Sequence, residues 1–68
     1  MKEIKINTEY ITLGQILKFT AIISSGAMAK MFLAETEVMV NGEKEDRRGR
    51  KLYPGDIVEV LGQKYQVK

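Results

Sequence analysis

The chain of 68 residues contains no cysteine and no histidine. Without cysteine, neither disulfides nor thiolate metal sites can stabilise a domain that buries only about 60% of the surface of its unfolded chain. Without histidine, the sequence lacks the commonest general base and the commonest transition-metal ligand. Histidine-based catalytic triads and ordinary zinc sites are therefore excluded, and we expect a non-catalytic domain that needs no cofactor.

Long apolar runs are also absent. The longest weakly polar stretch, Ala21 to Leu33, is interrupted by Gly26 and Lys30. It is shorter than the roughly 18 to 20 apolar residues that span a bilayer. The first residues, Met1 to Lys5, alternate charged and apolar side chains, and no apolar segment of a signal peptide follows them. We expect a soluble, cytoplasmic protein that forms one domain over residues 1–68 and does not contact membranes.

The positive charge is concentrated in one place. The net charge is only +2, from 11 basic and 9 acidic residues, but all three arginines lie in the basic segment Arg47–Lys51. Arginine matches phosphate oxygens with a planar fork of donors, and Gly49 permits a close backbone approach. The segment therefore predicts phosphate contact. The alternative is a solvated loop whose arginines form ion pairs with the neighbouring carboxylates Glu43, Glu45 and Asp46.

Two short helices are predicted in the first half of the chain. The sequence Thr12-Leu13-Gly14-Gln15 matches a capping box, so the first helix runs from Leu13 to about Ala21. Gly14 in its first turn costs up to about 1 kcal/mol relative to alanine and indicates close backbone packing. Ser24 or Ser25 is expected to cap a second helix from Gly26 to about Glu35. The side chains expected in the core include Leu13, Ile16, Leu17, Phe19, Met28, Ala29, Met31, Phe32, Leu33 and Met39.

Short strands and tight turns account for most of the remaining sequence. Alternation over Lys2 to Thr8 predicts a first strand. Asn41-Gly42 is a strong hairpin signal, and Pro54-Gly55 suits the centre of a type II turn. The other predicted elements are a strand at Val38–Val40, a solvated loop or irregular hairpin at Glu43–Arg50, a strand at Ile57–Leu61, a turn at Gly62-Gln63 and a strand at Lys64–Val67. The fold class is α+β, with a helix-turn-helix-like pair packed on a small antiparallel sheet.

The order of these elements resembles the S-four RNA-binding domain, a family named after the fourth protein of the small ribosomal subunit. The resemblance rests on a helix pair followed by Val38-Met39-Val40-Asn41-Gly42, the basic segment, and Pro54-Gly55-Asp56-Ile57-Val58-Glu59-Val60. The short length and the arginine cluster look most like the small stand-alone bacterial members, the YaaA-like group. The resemblance implies that the helix pair and the following turn bind RNA.

Individual site residues follow from that resemblance and from the charge pattern. Ser25 falls on the family's serine at the start of the second helix, and Lys30 falls on a basic position within that helix. Many members have arginine at the start of the first helix and after this serine, where the present chain has Thr12 or Leu13 and Gly26. The predicted RNA-binding residues are Lys18, Ser25, Lys30, Arg47, Arg48, Arg50 and Lys51.

The expected partner is a structured RNA, ribosomal RNA in particular, with ribosomal proteins as possible further partners and no small-molecule substrate. Among the aromatic residues, only Tyr53 beside the basic segment stays open as a base-stacking candidate. A protein–protein adaptor on the ribosome or in a replication complex is the alternative. A β-grasp sulfur carrier shares the Val-x-Val-Asn-Gly strand, but it needs a C-terminal Gly-Gly, and this sequence has Tyr65-Gln66-Val67-Lys68.

Overall fold

The computed structural model describes all 68 residues. Two short helices and two sheets make up the fold, which confirms the predicted α+β class. The elements in chain order are β1 (Lys2–Ile4), β2 (Ile11–Thr12), α1 (Leu13–Phe19), a 3₁₀ turn (Gly26–Met28), α2 (Ala29–Glu35), β3 (Val38–Val40), β4 (Glu43–Lys44), β5 (Lys51–Leu52), β6 (Ile57–Val60) and β7 (Gln63–Val67).

The larger sheet has five strands in the order β1-β7-β6-β3-β4. Four of them form the predicted antiparallel arrangement, but β1 pairs in parallel with β7, with Ile4 opposite Val67. The first strand is also shorter than predicted and ends at Ile4 rather than Thr8. Local sequence patterns do not reveal a pairing between opposite ends of a chain, so the sheet is mixed rather than purely antiparallel.

A separate two-stranded sheet joins the start of the first helix to the end of the basic segment. Here β2 and β5 are antiparallel, with Ile11 opposite Leu52 and Thr12 opposite Lys51. Leu52 is fully buried whereas Lys51 is exposed, so this sheet has one apolar face and one solvent-facing face. Because of this pairing, residues far apart in the chain flank the same end of α1.

Helix α1 begins as the capping box predicts. The Gln15 backbone N–H donates to Thr12 Oγ1 at 3.3 Å, and the Thr12 backbone N–H donates to Gln15 Oε1 at 2.9 Å. The helix ends at Phe19, earlier than predicted, because Thr20 caps it and Ala21 adopts a left-handed backbone with φ 63°. Its buried side chains are Leu13, Ile16 and Leu17.

The second helical segment starts differently from the prediction. Residues Gly26–Met28 form a 3₁₀ turn, and α2 proper begins at Ala29. Ser25 occupies the N-cap position of the 3₁₀ turn, but its side chain makes no capping hydrogen bond, and the Ser24 hydroxyl donates to Met28 Sδ at 3.0 Å. The N-cap position of Ser25 is therefore as predicted, but neither serine caps the segment through its side chain. Neither helix has the length and apolar character needed to cross a membrane.

The core lies between the helices and the five-stranded sheet. Its fourteen buried apolar residues are Ile4, Leu13, Ile16, Leu17, Ile23, Ala29, Leu33, Val38, Val40, Leu52, Val58, Val60, Tyr65 and Val67. Phe32 is partly buried and packs against them. Phe19 and Met31, both expected inside, are 66% and 67% exposed, and Met28 is 47% exposed. Successive helix residues are rotated by about 100°, so Phe19 and Met31 lie well away from the apolar stripes of their helices.

The two turns that mark the family resemblance contact one another. Asn41 and Gly42 have φ values of 52° and 84°, and Gly55 has a φ of 101°, as the predicted turn types require. Asn41 Nδ2 donates to Asp56 Oδ1 at 3.0 Å, and Asn41 Oδ1 accepts from the Ile57 backbone N–H at 2.9 Å. Asp56 Oδ2 accepts from the Tyr53 backbone N–H at 2.8 Å. We call these four residues, Asn41, Tyr53, Asp56 and Ile57, the turn network.

The last hairpin turn is displaced by one residue from its predicted position. Leu61 and Gly62 have left-handed φ values of 49° and 75°, and Val60 pairs with Gln63. The turn is therefore Leu61-Gly62, and Gln63 already belongs to β7. Leucine is rarely found at a left-handed position. The sequence pattern therefore predicted the turn at Gly62-Gln63 instead.

Candidate nucleic-acid interface

The basic segment is fixed against the N-terminal end of α1 by backbone hydrogen bonds. The Leu13 N–H donates to the Arg50 carbonyl at 2.9 Å, and the Gly14 N–H donates to the Arg48 carbonyl at 2.9 Å. The Arg50 N–H donates to the Arg47 carbonyl at 3.1 Å and closes a turn around Arg48 and Gly49. These bonds satisfy amides that a helix start leaves unpaired. They also hold the arginine backbone in one position, so the side chains project from a fixed base.

Gly14 makes this close approach possible. A Cβ atom at Gly14 would lie 3.3 Å from the Arg48 carbonyl oxygen and 3.6 Å from Ala29 Cβ. A side chain at this position would require the Arg48 backbone to shift by a few tenths of an ångström. The predicted close packing at Gly14 is confirmed, and the structure identifies its partners as the basic segment and α2.

A shallow open cleft of about 400 Å³ lies where the basic segment, α1 and the 3₁₀ turn meet. We call it the helix–loop cleft. It is lined by Thr12, Gly14, Gln15, Lys18, Gly26, Ala29, Arg48 and Gly49. Lys18 and Arg48 are its two charged residues, and neither forms an ion pair within the chain. The cleft therefore combines two free cations with polar and backbone groups, which suits an anionic ligand.

The other two arginines share one buried carboxylate. Arg47 Nε and Nη2 donate to Glu45 Oε2 and Oε1 at 2.9 and 3.0 Å, and Arg50 Nη1 donates to Glu45 Oε1 at 2.7 Å. The Glu45 side chain is only 7% exposed, whereas that of Arg47 is 72% exposed. The expectation that carboxylates pair with these arginines is confirmed for Glu45. Neither Glu43 nor Asp46 forms an ion pair.

Electrostatics and burial act in opposite directions on Glu45. The Arg47 hydrogen bond lowers the pKa of Glu45, burial raises it, and the Arg50 hydrogen bond lowers it further, to about 2. The same pairing raises the pKa of Arg47. Glu45 is therefore charged at neutral pH and orients both guanidinium groups. Its burial was not predicted, because the segment Glu43–Arg50 reads as uniformly solvated.

Each paired arginine keeps donors for a further ligand. Arg47 Nη1 and the Nε and Nη2 of Arg50 make no hydrogen bond within the chain. One carboxylate offsets only part of the charge of two guanidinium groups. The basic segment thus remains a net positive surface with its donors held in a defined geometry, which favours bidentate phosphate contacts.

The solvent-facing side of the two-stranded sheet continues from the cleft. Thr12 lines the cleft and pairs with Lys51. Lys51 Nζ lies 4.8 Å from the ring centroid of Tyr10, within the range of a cation–π contact. The Tyr10 and Tyr53 rings are 5.9 Å apart and inclined by 51°. Tyr53, the aromatic residue that the sequence leaves as a base-stacking candidate, is 43% exposed.

Most of the predicted site residues lie around this one region. Lys18 and Arg48 line the cleft; Arg47, Arg50 and Lys51 belong to the segment that borders it; and Ser25 precedes Gly26 at its edge. Lys30 is the exception. It lines a separate shallow depression on α2 together with Ala27, Met31 and Ala34. Sequence reasoning missed Gln15, Thr12 and Gly14 as lining residues because their roles in the capping box and in packing account for them.

Comparison with known protein families gives a match that covers most of the chain. The family model described as "S4 domain" matches residues 4–68, which include both helices, the cleft and the turn network. The chain belongs to the S4 domain family. The resemblance drawn from the two turn motifs is thereby confirmed.

Two relatives of this S4 domain match over most of their length. The chain is 63% identical over 59 residues to the Bacillus subtilis (strain 168) protein named "Probable ribosome maturation protein RlbA", covering 87% of the chain and 83% of that protein. It is 36% identical over 58 residues to the Escherichia coli (strain K12) protein named "Putative RNA-binding protein YbcJ", covering 85% and 83%. The similarity is therefore not confined to a single motif.

Proposed function

We propose that this S4 domain, residues 1–68, is a non-catalytic RNA-binding module whose helix–loop cleft holds the phosphate backbone of a structured RNA. The observation that carries the proposal is the presence of two unpaired cations, Lys18 and Arg48, in one cleft beside a backbone fixed on α1. Fixed donors lose little conformational entropy when a phosphate binds, and phosphate contacts position a protein on nucleic acid.

The surrounding cations extend this surface. Arg47 and Arg50 offer guanidinium donors already oriented by Glu45, and Lys51 adds a further charge. Ser25 and Lys30 stay predictions for the second helical segment, where Lys30 would contact a more distant part of the same RNA. Because phosphates carry little sequence information, recognition would depend on the shape of the folded RNA.

Ribosomal RNA is the target that the relatives favour. The name of the B. subtilis relative refers to ribosome maturation, and the name of the E. coli relative refers to RNA binding. A module that acts on ribosomal RNA would work in the cytoplasm, where ribosomal proteins would be its neighbours.

An adaptor role is the second candidate, and one observation favours it. Met28 at the end of the 3₁₀ turn and Met31 on α2 are both exposed, and they border a depression of about 320 Å³ that is also lined by Phe32. Such a surface suits a protein partner. Co-purification of one protein that persists after RNase treatment would support this candidate over RNA binding.

The proposal is tested by fluorescence-anisotropy titration of a labelled ribosomal RNA stem-loop over a salt series. The variant is Lys18→Ala with Arg48→Ala, which removes both free cations of the cleft and leaves the Glu45 ion pairs intact. Each lost phosphate contact reduces the slope of log K against log salt by about 0.7 to 0.9. We therefore expect the double variant to lose a slope of about 1.5 and to bind more weakly at every salt concentration.

The matched control is Lys44→Ala with Lys64→Ala, which removes the same charge from two strands of the five-stranded sheet that do not line the cleft. If both double variants lost the same slope, net charge rather than the cleft would account for binding. If the unmodified protein showed no salt-dependent binding to any RNA, the RNA-binding proposal would fail.

A further inference from the structure

The solvent-facing side of the two-stranded sheet carries two tyrosines at the border of the helix–loop cleft. Side chains alternate between the two faces of a strand. The buried side chains of Leu52 and the half-buried Ile11 point inward, so Tyr10, Lys51 and Tyr53 lie together on the outer face. The observed contacts agree, because Lys51 Nζ lies over the Tyr10 ring and the two tyrosine rings are 5.9 Å apart.

The two rings are not equally available. Tyr10 is half-buried, and the Lys51 ammonium group lies 4.8 Å from its centroid. Tyr53 follows β5 directly, is 43% exposed, and has its backbone held by the Asp56 carboxylate at 2.8 Å. Tyr53 therefore offers an accessible aromatic surface on a fixed backbone. The Tyr10 ring lies beside it, and Lys51 contacts the Tyr10 ring.

We propose that Tyr53 stacks on one unpaired nucleobase of the bound RNA, while Lys51 contacts the phosphate next to that base. This inference rests on the proposed RNA-binding function and narrows its target to RNA with a bulged or looped-out base. The bases of an uninterrupted A-form duplex are stacked on each other and cannot present a free face to an aromatic ring. Every base has a π-face, so such a contact selects an unpaired base without selecting its identity.

The spacing allows one RNA to reach both places. Thr12 lines the cleft, and Tyr10 lies two residues before it on the same face, a separation of about 7 Å along an extended chain. Lys51, opposite Thr12, lies between the cleft and the tyrosine pair. A backbone held by Lys18 and Arg48 in the cleft would thus place its neighbouring nucleotide near Tyr53.

The test uses three short RNA duplexes of one sequence: fully paired, with a single bulged adenosine, and with an abasic residue at the bulge. The bulged and abasic duplexes have the same number of phosphates in the same positions, and the bulged base is the only chemical group by which they differ. We expect the unmodified protein to bind the bulged adenosine about 5- to 150-fold more tightly than the abasic duplex, the range found for base stacking on an aromatic side chain. Tyr53→Leu should abolish this difference and leave the abasic affinity unchanged.

Two further variants separate stacking from structural effects. Tyr53→Phe keeps the ring and should keep most of the preference for the bulged adenosine. Met31→Ala removes an exposed apolar side chain on α2 and should leave all three affinities unchanged. Thermal melts establish that every variant is folded.

The outcomes distinguish this inference from the proposed function. Equal binding of the bulged and abasic duplexes by the unmodified protein would overturn base stacking but leave phosphate binding intact. An equal loss for both duplexes in Tyr53→Leu would have the same meaning. Absence of salt-dependent binding to all three duplexes would overturn both proposals.

Discussion

The turn network and the basic segment are each organised around one carboxylate, but the two carboxylates bind different kinds of partner. Asp56 accepts hydrogen bonds from a backbone N–H and from the Asn41 amide, and both partners lie within turns. Glu45 binds the guanidinium groups of Arg47 and Arg50, which also face solvent. Asp56 therefore holds turn backbone, including that of Tyr53, whereas Glu45 holds the guanidinium groups of the candidate phosphate-binding surface.

This difference explains which part of the molecule identifies the family. Asn41-Gly42 and Pro54-Gly55-Asp56 are readable motifs because left-handed backbone and side-chain-to-backbone bonds allow few residue types. The cations around the cleft have no such restriction, since several arrangements of lysine and arginine can hold a phosphate. The turn motifs therefore identify the fold, whereas the position of the candidate interface can be found only from the three-dimensional structure.

Removal of the Glu45 carboxylate should destabilise the fold more than any substitution in the turn network. In Glu45→Ala the two guanidinium groups lose their shared partner, and we expect a loss of about 2 to 3 kcal/mol in the free energy of unfolding. Urea denaturation measures this loss. Glu43→Ala, an exposed neighbour, is the control and should change stability by less than about 0.5 kcal/mol. Similar effects of the two substitutions would show that burial of Glu45 contributes nothing.

Acid should weaken the same cluster. The pKa of Glu45 is lowered from 4.5 to about 2 in the folded chain, so the unfolded chain takes up the proton first as the pH falls. The stability that this group contributes is therefore complete above about pH 4.5 and is lost between that value and pH 2. Because solvent screens the exposed Arg47, we expect a loss of about 2 kcal/mol rather than the full equivalent of the shift.

Unfolding midpoints in urea at a series of pH values, for the unmodified protein and Glu45→Gln, check this expectation. Glutamine cannot titrate, so the variant should lose less stability across the same acid range. Parallel pH profiles for the two proteins would mean that other carboxylates account for the acid sensitivity.

The Asn41 side chain of the turn network should show a smaller effect on stability and leave the phosphate contacts to RNA unchanged. Asn41→Ala removes two hydrogen bonds that connect the two turns, and alanine tolerates the left-handed backbone less well than asparagine does. We expect a loss of about 1 to 2 kcal/mol in stability with an unaltered salt slope in the anisotropy titration. Asn41→Gly keeps the backbone permissive, so its stability reports the hydrogen bonds alone. A change in salt slope in either variant would contradict the expectation that Asn41 acts only on the fold and not on the phosphate contacts.

Local features of the fold were predictable from the sequence. The capping box at Thr12 and Gln15 and the hairpin turn at Asn41-Gly42 depend on neighbouring residues, and both are found where expected. The parallel pairing of β1 with β7 and the two-stranded sheet depend on contacts between distant residues, which no local pattern encodes. A helical wheel, however, would have placed Phe19 and Met31 outside the core, because each lies off the apolar stripe of its helix.

The candidate site was predictable in composition but not in arrangement. The arginine cluster identified the segment, yet nothing in a run of charged residues distinguishes the buried Glu45 from the exposed Glu43. Arg47 and Arg50 therefore looked equivalent to Arg48, although only Arg48 is free of an ion pair and lines the cleft. The contact of the basic segment with α1 determines where each arginine lies. This contact is made by backbone hydrogen bonds, which do not depend on side-chain type and therefore leave no pattern in the sequence.

The pairing of β1 with β7 also bears on how the chain assembles during translation. Ile4 leaves the ribosome long before Val67, its neighbour in the sheet, is synthesised. The two helices have only seven residues each and bury their apolar side chains against β6 and β7, which are synthesised last. Contacts between residues so far apart in sequence are the slow step in the folding of small domains. Because the helices share their core with the last strands, the surface proposed to bind RNA becomes stable only after Val67 has been synthesised.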